Sequence, residues 1–205
     1  MPESWVILIG EPPGAGKTTL SRALGKRLDI VSLTADDLVA AVKCATTAET
    51  HQGLFVNVTS DYEGYFTNRS REEIVEHSII EHEAAWPAIR HVVRRRRKAD
   101  EPIVIDGWYF HPIYIPDLGI DQVHSYWLHV DRAELERRER ILHKPFTNTS
   151  EPEKMLQNFL ARSYWYNDLV KEEAEELGLP ILNQDGTKSV DELVNEVIRQ
   201  LPDSG

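Results

Sequence analysis

The chain lacks long apolar runs and has almost no cysteine, and each absence excludes a class of protein. No stretch approaches the roughly 18 apolar residues of a membrane span. The first residues show no basic stretch followed by an apolar one, so we expect no membrane contact and no signal peptide. The single cysteine, Cys44, cannot form an internal disulfide. It fits a core position in a protein of a reducing, cytoplasmic compartment.

Positive charge is also in deficit. With 23 Lys and Arg against 34 Asp and Glu, the formal net charge is −11, which argues against general binding to nucleic acid. The one basic run, Arg94–Lys98, ends a predicted helix, where cations favour the negative end of the helix dipole. The 205 residues are 41% hydrophobic, enough to bury one core. We therefore expect a soluble chain with one domain over residues 1–205.

Apolar runs of strand length alternate with helical patterns along the chain. The runs lie at 5–9, 30–33, 103–107, 123–130 and 180–182. The helical patterns lie at 18–28, 38–44, 71–98, 133–142, 153–177 and 190–201. Continuous apolar runs are typical of strands covered on both faces. The alternation predicts an α/β fold with a parallel sheet, and only residues 46–70 show no clear periodicity.

A glycine-rich loop between the first run and the first helix is the most informative motif. It reads GEPPGAGKTT over residues 10–19. Successive backbone N–H groups after the prolines can turn around a phosphate at the N-terminus of the helix. Lys17 would reach the β- and γ-phosphates of ATP, and the Thr18 hydroxyl would ligate Mg²⁺. The predicted nucleotide-binding residues are Gly14, Ala15, Gly16, Lys17, Thr18 and Thr19.

The loop departs from the usual G-x-x-x-x-G-K-[ST] pattern at one position. Counting back from Gly16 places Glu11 where the first glycine belongs, and Gly10 lies one residue early. A carboxylate near the phosphates would weaken nucleotide binding unless it points away. The sequence therefore predicts a phosphate loop whose first turn differs in backbone shape.

With this loop and the order of its elements, the chain resembles the small P-loop kinases. That group includes adenylate kinase, gluconate kinase, adenylylsulfate kinase, polynucleotide kinase and chloramphenicol phosphotransferase. The resemblance implies a five-stranded parallel sheet in the order 2-3-1-4-5 and the use of ATP and Mg²⁺. It also implies a lid around residues 138–162.

Three further stretches carry the resemblance. In the members that phosphorylate hydroxyl groups, an aspartate after the second strand faces the acceptor, and the motif Asp36-Asp37-Leu38 places it at Asp36. It would accept the hydroxyl proton, although Thr34, Asp36 and Asp37 could each instead cap the helix. The strand end at Asp106, followed by glycine, is similar to the Asp-Gly of adenylate kinase and implies a second Mg²⁺ ligand beside Thr18.

The third stretch, Leu135–Arg140, is rich in arginine. Lid arginines of nucleotide kinases contact the base and the phosphates, and the spacing from Leu135 favours Arg138 for this catalytic and nucleotide-binding role. Arg137 and Arg140 are the candidates for phosphate contacts, and Arg162 on the following helix is a further lid candidate. An equally good interpretation is an exposed helix supported by the pairs Glu134–Arg138 and Glu136–Arg140.

The acceptor region is expected at residues 46–82. Its candidate aromatic residues are Phe55, Tyr62, Tyr65 and Phe66, and its candidate polar residues are His51, Asp61, Arg69 and Arg71. Because this region lacks an arginine cluster, a neutral or cationic small molecule with a hydroxyl group fits better than a phosphorylated one. Sugars, polyols, nucleosides and antibiotics all remain open.

The sequence thus predicts an ATP-dependent kinase of a small-molecule hydroxyl. Two alternatives remain at this point. A nucleoside monophosphate kinase would place Arg69 or Arg71 on the acceptor phosphate. A nucleotide-binding regulatory or toxin-like protein would bind nucleotide with little turnover of metabolites.

Overall fold

A parallel sheet lies at the centre of the protein, as seen in a computed structural model that describes residues 5–58, 61–142 and 149–202. For Lys17, Thr18 and Leu142 it describes the backbone alone. The strands are β1 (Val6–Gly10), β2 (Val31–Thr34), β3 (Ile103–Gly107), β4 (Val123–Val130) and β5 (Ile181–Gln184). Their order is β2-β3-β1-β4-β5, which confirms the predicted order.

The central strand β1 shows why its sequence is a continuous apolar run. Val6 and Leu8 pack into the core cluster on one face of the sheet, whereas Ile7 and Ile9 pack into the cluster on the other face. All four side chains are fully buried. Because helices cover both faces, neither face of the strand can carry polar side chains.

The helices are α1 (Lys17–Leu28), α2 (Ala35–Ala45), α3 (Tyr62–Asn68), α4 (Arg71–Lys98), α5 (Arg132–Leu142), α6 (Pro152–Leu177) and α7 (Val190–Gln200). The longest, α4, has the predicted bounds. Ser70 and Glu73 fix its start with a capping box, and the helix runs through Pro87. No helix in the described parts of the chain is long and apolar enough to cross a membrane.

The segment at 46–70, which shows no clear periodicity in the sequence, contains the short helix α3. Asp61 caps its start by accepting a hydrogen bond from the Gly64 amide at 2.7 Å. One prediction about local structure was wrong, because Cys44 was expected in the core but is exposed. Its helix α2 buries Ala35 and Val39, which are one turn apart, and position 44 falls on another side of the helix.

A third apolar cluster joins α3, α4 and α6 beyond the carboxyl edge of the sheet. Its buried members are Tyr65, Phe66, Ile74, Met155, Leu156, Phe159 and Leu160. The side chain of Asn158 ties α6 to α3 by donating to the Phe66 carbonyl at 2.6 Å. This cluster fixes α3 opposite the glycine-rich loop and so forms one wall of the candidate site.

Candidate active site

The loop at residues 11–16 connects β1 to α1 and has the backbone of a phosphate-binding turn. Gly14 has φ +83° and Gly16 has φ +104°, which residues with a Cβ rarely adopt. Gly16 is also the N-cap of α1. Left-handed residues followed by a helix N-terminus bring successive N–H groups toward one point, where an anion can bind. The predicted contacts of the Lys17 and Thr18 side chains lie outside the described part of the structure.

Gly10 and Glu11, where the sequence departs from the usual motif, lie between β1 and the turn of the loop. A Cβ at Gly10 would overlap Cζ3 of Trp127, so packing against that ring requires glycine here. Glu11 continues the strand pairing, because its amide donates to the Gly107 carbonyl at 3.3 Å. Its side chain is fully buried. The pKa of the Tyr166 phenol is raised mainly by burial and further by the negative charge of Glu11.

Asp36 lies in the first turn of α2, close to the end of β2. Thr34 is the N-cap of this helix, and its hydroxyl accepts a hydrogen bond from the Asp36 amide at 3.3 Å. Of the three residues considered as caps, Thr34, Asp36 and Asp37, it is therefore Thr34 that caps the helix. The Asp36 side chain lines a cavity beside the loop, whereas Asp37 is exposed.

Asp106 ends β3 directly beside β1, where it pairs with Ile9 in the parallel register. Its side chain is 1% exposed. In the described parts of the chain, no group of three or more His, Cys, Asp or Glu could hold a metal ion alone. Mg²⁺ on nucleotide phosphates needs only one or two protein carboxylates, and a single acid next to the phosphate loop fits that requirement.

A cavity of about 330 Å³ lies between the loop and the helices α2, α3, α4 and α6, and we call it the side cavity. Pro13 of the loop forms part of its wall. Its aromatic lining residues are Tyr62, Tyr65, Phe66, Trp108 and Tyr109. Its polar lining residues are Asp36, Lys43, Asn57, Glu81 and Arg162. This volume is in the range of small-molecule sites.

The predicted acceptor region contributes to the side cavity, but only in part. Tyr62, Tyr65 and Phe66 line it as expected for an acceptor region. The other candidates named from the sequence (His51, Phe55, Asp61, Arg69 and Arg71) are not among the described residues that line it. Burial raises the pKa of the phenols of Tyr62, Tyr65 and Tyr109, so these walls present neutral hydroxyl groups at neutral pH.

A buried ion pair on this wall was not found from the sequence. Glu81 is 1% exposed, and its carboxylate accepts from the Lys43 ammonium at 2.6 Å. Its second oxygen accepts from Nδ2 of Asn57 at 2.5 Å. The only signal in the sequence is its place on α4 between the buried residues Ser78 and Ala85, which share a face of the helix. The pair leaves Lys43 neutralised within the side cavity.

The three candidate arginines of α5 make different contacts. Arg138 lies against the loop, since its guanidinium donates to the Ala15 carbonyl and to Oε1 of Glu134. Arg140 instead bridges α5 to α6 by bonding Glu136 and Glu153. The other predicted phosphate candidate, Arg137, bonds Glu134 on the outer face. Both intrahelical pairs expected from the sequence are confirmed, at 2.6 Å for Glu134–Arg138 and 2.7 Å for Glu136–Arg140.

Glu139 is a second residue of the site that the sequence did not single out. It is fully buried, and a Cβ at Gly14 would overlap its Oε1, so the carboxylate is packed against the loop. Its charge also contributes to the raised pKa of Tyr62, after burial. The signal available was its spacing: Glu139 follows the buried Leu135 by one helical turn and so shares its buried face.

Replacing this carboxylate should strengthen nucleotide binding. In Glu139→Gln the shape is kept but the negative charge beside the phosphate loop is lost, so repulsion of the ATP phosphates falls. We expect the dissociation constant of Mg-ATP, measured by titration calorimetry, to fall about tenfold, which corresponds to about 1.4 kcal/mol of binding free energy. Glu136→Gln, on the same helix but bonded to Arg140, should leave it unchanged. Unchanged or weaker binding of Mg-ATP in Glu139→Gln would contradict the interpretation that this carboxylate repels the nucleotide phosphates.

Comparison with known proteins gives the fold a context. No protein-family model matches the chain. A 2-phosphoglycerate kinase of Methanopyrus kandleri is 25% identical over 96% of this chain, which spans 60% of that relative's length. A shikimate kinase of Bacteroides thetaiotaomicron superposes with a TM-score of 0.52 at 20% identity, covering 95% of each chain. A gluconokinase of Sinorhizobium meliloti superposes with a TM-score of 0.55 at 13% identity, covering 97% of this chain and 92% of its own.

These similarities agree with the sheet order and with the position of the glycine-rich loop. The chain has the fold of the small P-loop kinases. Within that fold, the loop, Asp36, Asp106 and Arg138 all lie at the carboxyl edge of the sheet, where parallel α/β folds bind their ligands.

Proposed function

We propose that this chain with a small P-loop kinase fold is a phosphotransferase that moves the γ-phosphoryl group of Mg-ATP to a hydroxyl of a small molecule. The observation that supports this most directly is the side cavity. One wall is Pro13 of the loop that would hold the nucleotide, and another carries the carboxylate of Asp36. A hydroxyl compound in that cavity would lie between a general base and the phosphate to be transferred.

The proposed function assigns a role to each of the candidate residues. The loop from Gly14 to Thr19 would hold the phosphates, and Lys17 would neutralise charge that develops on them. The acceptor oxygen would attack the γ-phosphorus while its bond to the bridging oxygen breaks, so that ADP leaves. Asp36 would orient the acceptor hydroxyl and take its proton. Thr18 and Asp106 would hold the Mg²⁺ of the nucleotide.

Closure over the nucleotide would involve α5 and α6. Arg138 already contacts the loop, and Ser150, which precedes α6, donates its amide to the carboxylate of Glu63 on α3 at 2.9 Å. The predicted lid at 138–162 includes these residues, although 143–148 lie outside the described residues. A lid here would exclude water and so limit hydrolysis of ATP.

Arg69 and Arg71, which the sequence argument assigned to the phosphate of a nucleoside monophosphate, do not support that role here. Arg69 lies over the ring of Tyr65, 4.5 Å from its centroid, and neither it nor Arg71 is among the described residues lining the side cavity. These two arginines therefore give no support to a nucleoside monophosphate as acceptor, and the panel of acceptors below tests that class directly.

The proposal is tested by ADP release from Mg-ATP with a panel of candidate acceptors. The panel contains sugars, polyols, sugar acids, nucleosides, nucleoside monophosphates and hydroxyl-bearing antibiotics, and the control is the rate without acceptor. We expect at least one class to raise ADP release well above that control. If Mg-ATP binds but every class leaves the rate at background, a nucleotide-binding regulatory protein becomes the better interpretation.

A further inference from the structure

Arg162 of α6 lies in the side cavity, far along the chain from the predicted acceptor region. Its guanidinium carbon is 4.2 Å from the ring centroid of Phe159, 5.1 Å from that of Trp108 and 5.2 Å from that of Phe66. Three aromatic rings therefore hold the cation in place. Such rings attract the charge but cannot accept the directed N–H hydrogen bonds of a guanidinium as an oxyanion does.

The hydrogen-bonding capacity of this guanidinium is unused within the described parts of the protein. Across those residues, no carboxylate lies within ion-pair distance of Arg162, and its buried Nε has no hydrogen-bond partner. A buried cationic donor without a partner is costly, so it is kept where a ligand satisfies it. Arginine is also the side chain best suited to two parallel hydrogen bonds with a carboxylate or a phosphate.

The other cation of the side cavity cannot play this part. Lys43 is bound at 2.6 Å to Glu81, whose other oxygen is held by Asn57. That pair is neutral overall and presents polar atoms suited to hydroxyl groups. Asp36 presents its carboxylate to the same cavity. The described lining thus offers a base for one hydroxyl, a neutral polar wall and a single uncompensated cation.

We propose that Arg162 binds an anionic group of the acceptor, so that the acceptor is a small hydroxylated carboxylate or phosphate ester. This inference rests on the proposed function and names the substrate class of the same site. It replaces the neutral or cationic acceptor that the sequence favoured. That expectation considered only residues 46–82, whereas the fold brings Arg162 into the cavity from α6.

Matched acceptors of equal carbon number test the proposal. The three-carbon set is glycerate, glycerol 3-phosphate and glycerol, and the six-carbon set is gluconate, glucitol 6-phosphate and glucitol. Each is assayed for ADP release with Mg-ATP and for direct binding by titration calorimetry. We expect kcat/KM for at least one anionic acceptor to be at least tenfold higher than for the neutral polyol of its set. Comparing the carboxylate with the phosphate ester in each set shows which of the two anionic groups the site prefers.

Substitutions of Arg162 connect this preference to the residue. In Arg162→Gln the charge-assisted hydrogen bonds from the guanidinium to the acceptor's anionic group are lost. We therefore expect KM for the anionic acceptor to rise by about 10- to 100-fold, with KM for ATP unchanged. Arg162→Lys keeps the charge but loses the planar pair of donors, so it should recover part of this loss. Arg132→Gln is the matched control, because Arg132 also lies over a ring, that of Tyr164, but is not among the described residues lining the side cavity.

The outcomes separate this inference from the proposed function. Turnover of a neutral polyol at a rate equal to its anionic partner, or an acceptor KM unchanged in Arg162→Gln, overturns the inference and leaves the kinase function standing. Binding of an anionic probe that depends on Arg162, without ADP release, supports the anion site and overturns the phosphotransferase function. If no probe binds and none is turned over, the anion site is overturned together with the proposed function.

Discussion

Lys17→Ala is expected to lower acceptor-dependent ADP release by about 10³-fold, the upper part of the loss seen when one preorganised group that stabilises transition-state charge is removed. The lysine directly follows Gly16, the left-handed N-cap of α1, in a loop whose backbone has the turn of a phosphate site. Its ammonium would reach the β- and γ-phosphates, where negative charge accumulates during transfer. Alanine keeps the helix but offers no cation there.

The control for this variant is Lys26→Ala, on the same helix. Lys26 lies in the last turn of α1 and is exposed, so its loss removes one positive charge without touching the loop. We expect near-normal turnover from it and an unchanged melting temperature in both variants. If Lys17→Ala retains near-normal turnover while remaining folded, the glycine-rich loop is not a phosphate loop and the proposed function fails with it.

The fold could be predicted from the sequence because its signals are local. The apolar run of β1 is continuous because both faces of that strand are covered, and the loop that follows contains its turn glycines and its helix start within ten residues. The bounds of α4 were predicted because Ser70 and Glu73 mark its start with a capping box. Such local signals do not determine the order of the strands, which the resemblance to P-loop kinases implied.

Candidate residues of the site could be predicted where they follow strands, belong to the loop or, as with Arg138, match the arginine spacing of the resembled kinases. Asp36 and Asp106 lie at the ends of strands whose carboxyl ends meet at one edge of the sheet. Arg162 and Glu139 come from helical faces that turn toward the loop and the cavity, and the sequence indicates a face but not its neighbour. The helical pattern around Arg162 could not reveal its contact with three aromatic rings, and the pattern around Glu139 could not reveal its contact with Gly14.

The position of Glu11 shows the same limit in the loop itself. Comparison with the usual motif indicated a displaced glycine but gave no reason for it. The structure explains the glycine at position 10, because the ring of Trp127 on the neighbouring strand β4 occupies the space where any side chain at that position would lie. A contact between strands that are more than a hundred residues apart in the chain leaves no local signal at either position.

Asp36→Asn is expected to lower kcat by about 10²-fold or more, the range of general acid–base contributions, while leaving the dissociation constant of Mg-ATP unchanged. The amide has the size of the carboxylate but cannot take the acceptor proton. Thr34 caps α2 through the backbone amide of Asp36, and this contact survives the substitution. The loss should therefore be catalytic, and a melting temperature close to the wild-type value would show that α2 remains intact.

The neighbouring acid provides the sharpest control for this role. Asp37 is exposed and is not among the described residues that line the side cavity, so Asp37→Asn removes the same charge from the same helical turn without changing the cavity wall. We expect it to keep near-normal kcat with the best acceptor of the panel. A large loss in Asp37→Asn with normal turnover in Asp36→Asn would assign the base to Asp37. Normal turnover in both would mean that the acceptor hydroxyl needs no carboxylate from α2 and loses its proton to another group or directly to the nucleotide.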